Sequence, residues 1–469
     1  MCLAVHTGFT QKGKNMLTKE PTAFVKDAKR FGEPSVHLKN NFSNILLLAT
    51  LISGVARADE AASAISAGDT AWVLISSALV LLMTPGLALF YAGMVRSKNV
   101  VSTLFKNFGA VGVVGVLWII LGYSLAFAPG NSFLGGLQHV MLAGVGQTAN
   151  ADYSATIPHI AFVIFQCMFA VITPALMTGA IVERIRFKSW ILIMALWSLL
   201  VYAPVAHWVW GIGGWVRNMG ALDFAGGMVV HMTAGYSALI MAKLLGPRRE
   251  SEAHVPHDIG MVMLGTALLF FGWFGFNAGS ALAANGLAAQ AFATTFFAGS
   301  GAMVTWMFAE WFYKGKPSAL GACVGAVAGL VAITPAAGFV TAGAALTIGL
   351  LTGIICYTAV CVIKAKFKLD DSLDVFGCHG VGGTLGAIFT AIYADKSVNP
   401  AGADGLLITG DFSLLKTHLV SGAAIVAYSI VVSAAIVVLV RRFGTIRVDV
   451  TSEDIGLDLS QHGEAVVRV

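Results

Sequence analysis

Leu222-Asp223-Phe224-Ala225-Gly226-Gly227-Met228-Val229-Val230-His231 drives a histidine into a segment that otherwise reads as membrane core, and His379 does the same far downstream. Ionisable side chains at bilayer depth cost about 2.5–3.5 kcal/mol on insertion scales, so they tend to face a bundle interior or a polar path. A single buried histidine is more often a hydrogen-bonded structural residue than a functional one. A second histidine in a matching element tips the balance, and the two are expected to line one pore.

The composition sets the class. Hydrophobic residues make up 57% of the 469 and charged residues 11%, with mean hydropathy +0.79, which leaves too little polar surface for a soluble globule of this length. The apolar runs do not alternate over ten residues between turn signals as outer-membrane strands would, so the expected fold is an all-α membrane protein. The net charge of +5 comes from Lys and Arg at helix ends, where orientation in the membrane explains them and nucleic acid is not called for. Five of the six cysteines fall inside apolar runs without a CxxC or Cys/His spacing, so neither a disulfide framework nor a zinc site is indicated. No metal and no cofactor is expected.

Residues 1–58 read as an N-terminal extension with a signal peptide. Lys39 precedes an apolar run from Ile45 to Val55, and Ala56-Arg57-Ala58 offers a small-x-small cleavage site before Asp59-Glu60. Met16 is an alternative start, and an uncleaved signal is equally open. From Ala71 onward about eleven spans follow, at 71–95, 101–127, 157–181, 187–210, 225–245, 258–276, 288–312, 318–333, 338–363, 376–394 and 415–440. Loops after odd spans carry the basic residues, for example Arg184, Arg186 and Lys188, whereas loops after even spans show little beyond Arg217 and Lys396. That alternation predicts an extracytoplasmic N-terminus and a cytoplasmic tail over 442–469. Phe90-Tyr91-Ala92-Gly93 is echoed by Phe276-Asn277-Ala278-Gly279, and Leu222-Asp223 by Leu373-Asp374. The echoes favour two inverted five-helix repeats plus a closing helix, with His231 and His379 in matching elements at the repeat interface. Asp223, eight positions before His231, is expected on roughly the same face as a cap or loop anchor.

A second constellation gathers at the outer ends of the spans: Trp210, Phe276 and Ser280, with Phe165 and Phe169 in the outer half of the third span. Interfacial aromatics are normally belt residues, and Trp208 reads as one. Around Trp210 and Phe276, however, glycine is dense, and glycine allows close approach to a ligand. Aromatic faces with a hydroxyl acceptor suit a small cation, each cation–π contact contributing about 0.5–2 kcal/mol once water is removed.

These residues carry a resemblance to the ammonium transporter family, the Amt/Mep/Rh group. Met83-Thr84-Pro85-Gly86, Glu183-Arg184-Ile185-Arg186-Phe187, Leu222 to His231, Trp273 to Ser280, and Asp374 to Gly380 match its motifs in order, over about Asp69 to Glu464, within a membrane domain at 69–441. The resemblance implies a homotrimer in the inner (plasma) membrane, with one pore per subunit and no enzymatic activity. Trp210, Phe169, Phe276 and Ser280 would correspond to the ammonium recruitment site, with Phe169, Phe276 and Phe165 as gate. His231 and His379 would be the twin pore histidines, Asp223 the supporting acid, and Leu87, Leu269 and Val375 the apolar lining. Gly456-Leu457-Asp458 and His462-Gly463-Glu464 look like the cytoplasmic tail on which a PII-type signal protein docks in bacterial members. The tail continues Ala465-Val466 where the family commonly has a tyrosine, and Met228 and Met232 stand where smaller side chains are usual.

A desolvated ammonium ion in a dry pore is too costly for a few cation–π contacts to offset. The expected mechanism is therefore recruitment of ammonium, loss of a proton near the gate, and passage of ammonia along the histidines, electrogenic if the proton follows. Alternatives are an electroneutral ammonia channel and an ammonium sensor signalling through its tail. A membrane enzyme using the histidines as acid and base would need a carboxylate, nucleophile or ligand set at that depth, and none is evident.

Overall fold

Glycines at several helix crossings, among them Gly86 with Gly265 and Gly235 with Gly380, let the backbones approach closely. The computed structural model describes residues 65–249, 255–366 and 369–466; the expected signal peptide lies outside them. The long helices are α1 (Ala67–Met94), α2 (Ser97–Phe127), α3 (His159–Ile181), α4 (Phe187–Asn218), α5 (Gly227–Leu245), α6 (Ile259–Ala281), α7 (Gly286–Lys314), α8 (Ala319–Ile333), α9 (Ala342–Val362), α10 (376–393) and α11 (Ser413–Arg441). Among the described residues, nine of these are long and apolar enough to cross a membrane. The exceptions are α8, with 15 residues, and α10, a five-residue π-turn running into a 13-residue helix. Polar caps start several of the rods. Ser66, Asp258, Asn285, Ser318 and Thr341 each accept a backbone N–H of the first turn, which satisfies donors the helix itself cannot. Leu74, Phe271, Phe296 and Val431 stand exposed on the outer faces, as side chains facing lipid or another chain do.

The crossing of α1 and α6 reads the same from either helix. A Cβ on Gly93 would fall 2.7 Å from the Val262 side chain, and one on Gly279 would fall 2.5 Å from that of Ser76. Gly86 and Gly265 face each other between these two contacts. Both pairs keep one offset, since 279 − 93 and 262 − 76 are each 186. The α5–α10 crossing is tighter still: a Cβ on Gly235 would lie 2.1 Å from the Gly380 nitrogen, and one on Gly383 would lie 3.0 Å from the His231 Cβ. Cys167, Cys323, Cys356 and Cys378 are buried free thiols within this packing. Trp208, expected in the interfacial belt, is buried instead and donates its indole N–H to the Phe133 carbonyl at 2.8 Å.

The basic ends of the helices are tied together by charge. Glu183, held at φ 68°, accepts from Arg96, Asn99 and Arg248, and Arg248 also grips Asp370 at 2.8 Å. The tail docks onto the same end. Val448 N–H donates to Arg184 O and Arg186 N–H to Ile446 O, Arg447 pairs with Glu453 at 2.9 Å, and Asp458 accepts the Val101 and Ser102 N–H groups at the start of α2. His462 lies against the rings of Phe105 and Phe187.

Candidate functional site

Both histidines sit on π-turns whose starts are held by a buried carboxylate. Gly226 adopts φ 109°, a conformation that suits glycine, and breaks the chain so that α5 begins at Gly227. Asp223 then lies outside the helix rather than on the histidine's face. Its carboxylate accepts the N–H groups of Gly226, Gly227, Met228 and Val229 at 2.9, 2.7, 2.8 and 3.2 Å. Burial pushes the Asp223 carboxyl up to about 6, against the downward pull of those four N–H groups. In α10 the same task falls to Asp371, which accepts from Val375 and Phe376 at 3.1 and 2.7 Å. The echo at Leu373-Asp374 therefore pointed to the wrong acid. Asp374 stands at φ 63° and pairs with Lys364 at 2.5 Å. A spacing of eight residues, from Asp223 to His231, leads from His379 back to Asp371, and that signal was available.

The rings of His231 and His379 lie 5.2 Å apart at 29°, with their Nδ1 atoms 3.2 Å from each other. Neutral imidazole has one donor and one acceptor nitrogen, so in this contact one ring carries its proton on Nδ1 and the other presents a lone pair there. His231 Nε2 is buried and makes no hydrogen bond to the protein. The histidines face a cavity of about 10 Å³, room for about one water-sized occupant. Leu87, Leu269, Trp273 and Phe276 share its lining, whereas Val375 does not and packs beside Tyr91 near Gly179. Trp273 opens one of the sequence motifs but carried no role there. It stacks on His231 at 5.4 Å and 24°, and its indole N–H is fixed on Thr334 Oγ1 at 3.0 Å.

Phe276 roofs this cavity, with its ring 5.9 Å from His231 and 4.2 Å from Phe169. Phe165 stands behind Phe169 at 4.9 Å and closes over Gly279. Beyond the two phenyl rings a recess of about 230 Å³ opens, lined by Phe169, Trp210, Ser280, Asp223, Gln166 and Tyr153 among others. Trp210 meets Phe169 edge to face at 6.1 Å and 89°. Its indole donates to the Asp223 carbonyl at 2.9 Å, and its own carbonyl accepts from Arg217 at 2.6 Å. Ser280 Oγ donates to the Phe276 carbonyl at 2.9 Å, which leaves its lone pairs free to accept. Gln166 was also missed. Its Oε1 is buried without a protein partner, and the signal was an amide standing alone in the apolar run of α3.

The recess thus brings together Trp210, Phe169, Ser280 and Asp223, while Phe276, His231 and His379 meet one layer deeper. A further small cavity, where α9 meets the start of α10, is lined by Val360, Lys364, Asp371, Asp374, Phe376 and Gly377. Burial pushes the Asp371 carboxyl up to about 6, partly countered by Lys364. Among the described residues no cluster of three metal-ligating side chains occurs.

The chain as a whole has known relatives. The profile described as Ammonium Transporter Family matches residues 71–467. A Bacillus subtilis protein named ammonium transporter is 50% identical over 397 residues, covering 85% of this chain and 98% of that one. The crystal structure of Candida albicans Mep2 superposes with TM-score 0.77 at 35% identity, covering 83% of this chain and 88% of the other. A structure titled Sensor Amt Protein superposes with TM-score 0.77 at 26% identity, covering 84% and 98%.

Proposed function

The chain belongs to the ammonium transporter family, a family of transporters rather than enzymes, and from that premise we propose that it recruits ammonium at Trp210, Phe169, Phe276 and Ser280 and conducts ammonia past His231 and His379. The ion gives up its proton near the Phe169–Phe276 pair, with Phe165 backing the gate and Asp223 holding the recess in shape. The observation that carries this reading is the 3.2 Å Nδ1–Nδ1 contact facing a cavity of about 10 Å³ beneath two phenyl rings in tilted contact. So small and apolar a space has no room for the hydration shell of a cation, whose burial without a partner is prohibitive. It does have room for one neutral molecule that can both donate to and accept from imidazole nitrogens. Potassium, with no proton to lose, is excluded by the same argument.

The proton crosses along the histidine pair, which makes transport electrogenic. A charge-translocation recording on proteoliposomes given an ammonium pulse tests this. The wild type is expected to give a transient current that His231→Ala and His379→Ala lose. Luminal alkalinisation without current would replace this mechanism with an electroneutral ammonia channel. Silence in both readouts would favour a sensor, a reading kept open by the likeness to the structure titled Sensor Amt Protein.

The wider organisation follows from the same proposal. α8 and α10 complete eleven spans, and the reciprocal Gly93–Val262 and Gly279–Ser76 contacts support two repeats of opposite direction. The basic end bearing Glu183, Arg248 and the docked tail faces the cytoplasm, and the recess faces outward. The exposed apolar outer faces support embedding in lipid; the homotrimer and the cell inner membrane belong to this proposal through the family resemblance. The exposed tail residues Leu459 and Gly463 to Val466 offer the surface for a PII-type protein.

A further inference from the structure

A recess that gathers a cation would be expected to carry carboxylates, yet the one above the two phenyl rings also holds an arginine. Arg217, Asp152 and Asp223 are the charged side chains of its lining. Asp223 turns its carboxylate to four N–H groups at the start of α5, so the backbone takes up most of its charge. Arg217 and Asp152 are exposed and stand where the recess meets solvent. Arg217 is fixed there by the bond from its Nη1 to the Trp210 carbonyl at 2.6 Å, and among the described residues no carboxylate pairs with it. Both charges reach the Tyr153 hydroxyl in the same wall. Burial pushes that phenol up to about 12, the Ile212 N–H and Arg217 pull it down, and Asp152 pushes it up.

We propose that Arg217 sets the affinity of the recess: its fixed positive charge weakens ammonium recruitment at Trp210, Phe169 and Ser280, and Asp152 opposes it. This rests on the transport reading above. Arg217 meets the site only through a backbone carbonyl, so what reaches the ion is its charge and not a contact. A unit charge several ångströms from a cation in a water-filled recess changes the cation's affinity about two- to fivefold at low salt. The Debye length falls from about 30 Å at 0.01 M salt to about 3 Å at 1 M, so the effect fades as salt is added. His231 and His379 lie a layer deeper, beyond Phe276. The charge therefore acts on apparent KM and leaves the maximum rate in place.

The test records the initial rate of ammonium-driven transport, as current or as luminal alkalinisation, in proteoliposomes of one orientation. Ammonium is applied from the recess side over a range of concentrations, first at about 0.01 M ionic strength and then at about 1 M sodium chloride. Arg217→Gln is expected to lower apparent KM about two- to fivefold in low salt, to keep the maximum rate, and to lose the difference in high salt. Arg217→Lys should keep the wild-type KM, Arg217→Glu should lower it further, and Asp152→Asn should raise it. A merely structural bond to Trp210, once lost, would raise KM or cut the rate in both salts. That outcome, or an unchanged KM in low salt, overturns the proposal. If Arg217→Gln does not purify as a folded protein, the comparison of Arg217→Glu with Arg217→Lys decides. Flux in the wild type with an unmoved KM in the variants sinks only this inference. Absence of flux in the wild type sinks the transport reading, and this inference with it.

Discussion

Replacing Gly235 by alanine should separate the two histidines without touching either. The new methyl would stand 2.1 Å from the Gly380 nitrogen, 2.3 Å from its Cα and 2.8 Å from the His379 carbonyl carbon, all backbone atoms that no rotamer change can move. Ordinary contact begins near 3.4 Å, so α5 and α10 must part by about 1.3 Å at the crossing. Passed to His231, four residues from Gly235, and to His379, next to Gly380, that shift stretches the Nδ1–Nδ1 contact from 3.2 Å to about 4.5 Å, beyond hydrogen-bond range. Overpacking of this kind costs about 1–3 kcal/mol, which a bundle of this size can absorb, so the variant should still purify as a folded protein. Its ammonium flux should fall at least about tenfold, because displacing reacting groups by 1 Å can cost about a hundredfold. The comparison is Gly382→Ala, where the nearest atom, at 3.1 Å, belongs to the movable Val331 side chain and flux should stay near wild type. Proteoliposome flux, with size-exclusion profiles as the folding check, reads both. A folded Gly235→Ala protein transporting at the wild-type rate would refute the view that the glycine crossing sets the histidine contact.

Further outcomes follow from the buried acids. Asp223→Asn turns an amide nitrogen toward N–H groups that now meet a carboxylate; losing two such acceptors should destabilise the chain by about 2–4 kcal/mol, seen as a lowered melting temperature in detergent at neutral pH. Burial alone would raise the Asp370 carboxyl, but Arg248 and Arg184 outweigh it and hold the group well below the usual range. A depressed folded-state pKa means stability that is fully present above about pH 4 and lost as the pH falls below it, so an acid melting series should show a falling limb that Asp370→Asn lacks.

The expectations drawn from residue type and spacing reached furthest where one side chain announces itself. His231 and His379 stand out because an ionisable ring in an apolar run needs a reason, and they do meet. Trp210, Phe276 and Ser280 stood out through their glycine-rich surroundings and Phe169 as an aromatic in the outer half of its span, and the structure gathers them around one recess and its floor. Asp371 was missed because a two-residue echo drew attention to Asp374, although the eight-residue spacing from each histidine marks the acid that caps. Trp273 and Gln166 were passed over because an indole or amide in a membrane run reads as packing until its neighbours are known. The span expected at 318–333 is the helix α8, which Ser318 and Thr334 bound at 15 residues. The tail docking was illegible for a more general reason: Asp458 finds the start of α2 more than 350 residues away in sequence, and no local pattern records such a meeting.

The π-turns at Gly227–Met232 and Phe376–Gly380 have a consequence for how this chain tolerates change in length. A π-turn is an α-helix with one residue too many, and one residue is about 100° of rotation. Deleting a single residue from either turn would restore an ordinary helix and swing its histidine a quarter-turn or more away from its partner. Two matched insertions therefore aim the rings at each other, and in these two short stretches the count of residues matters as much as their identity.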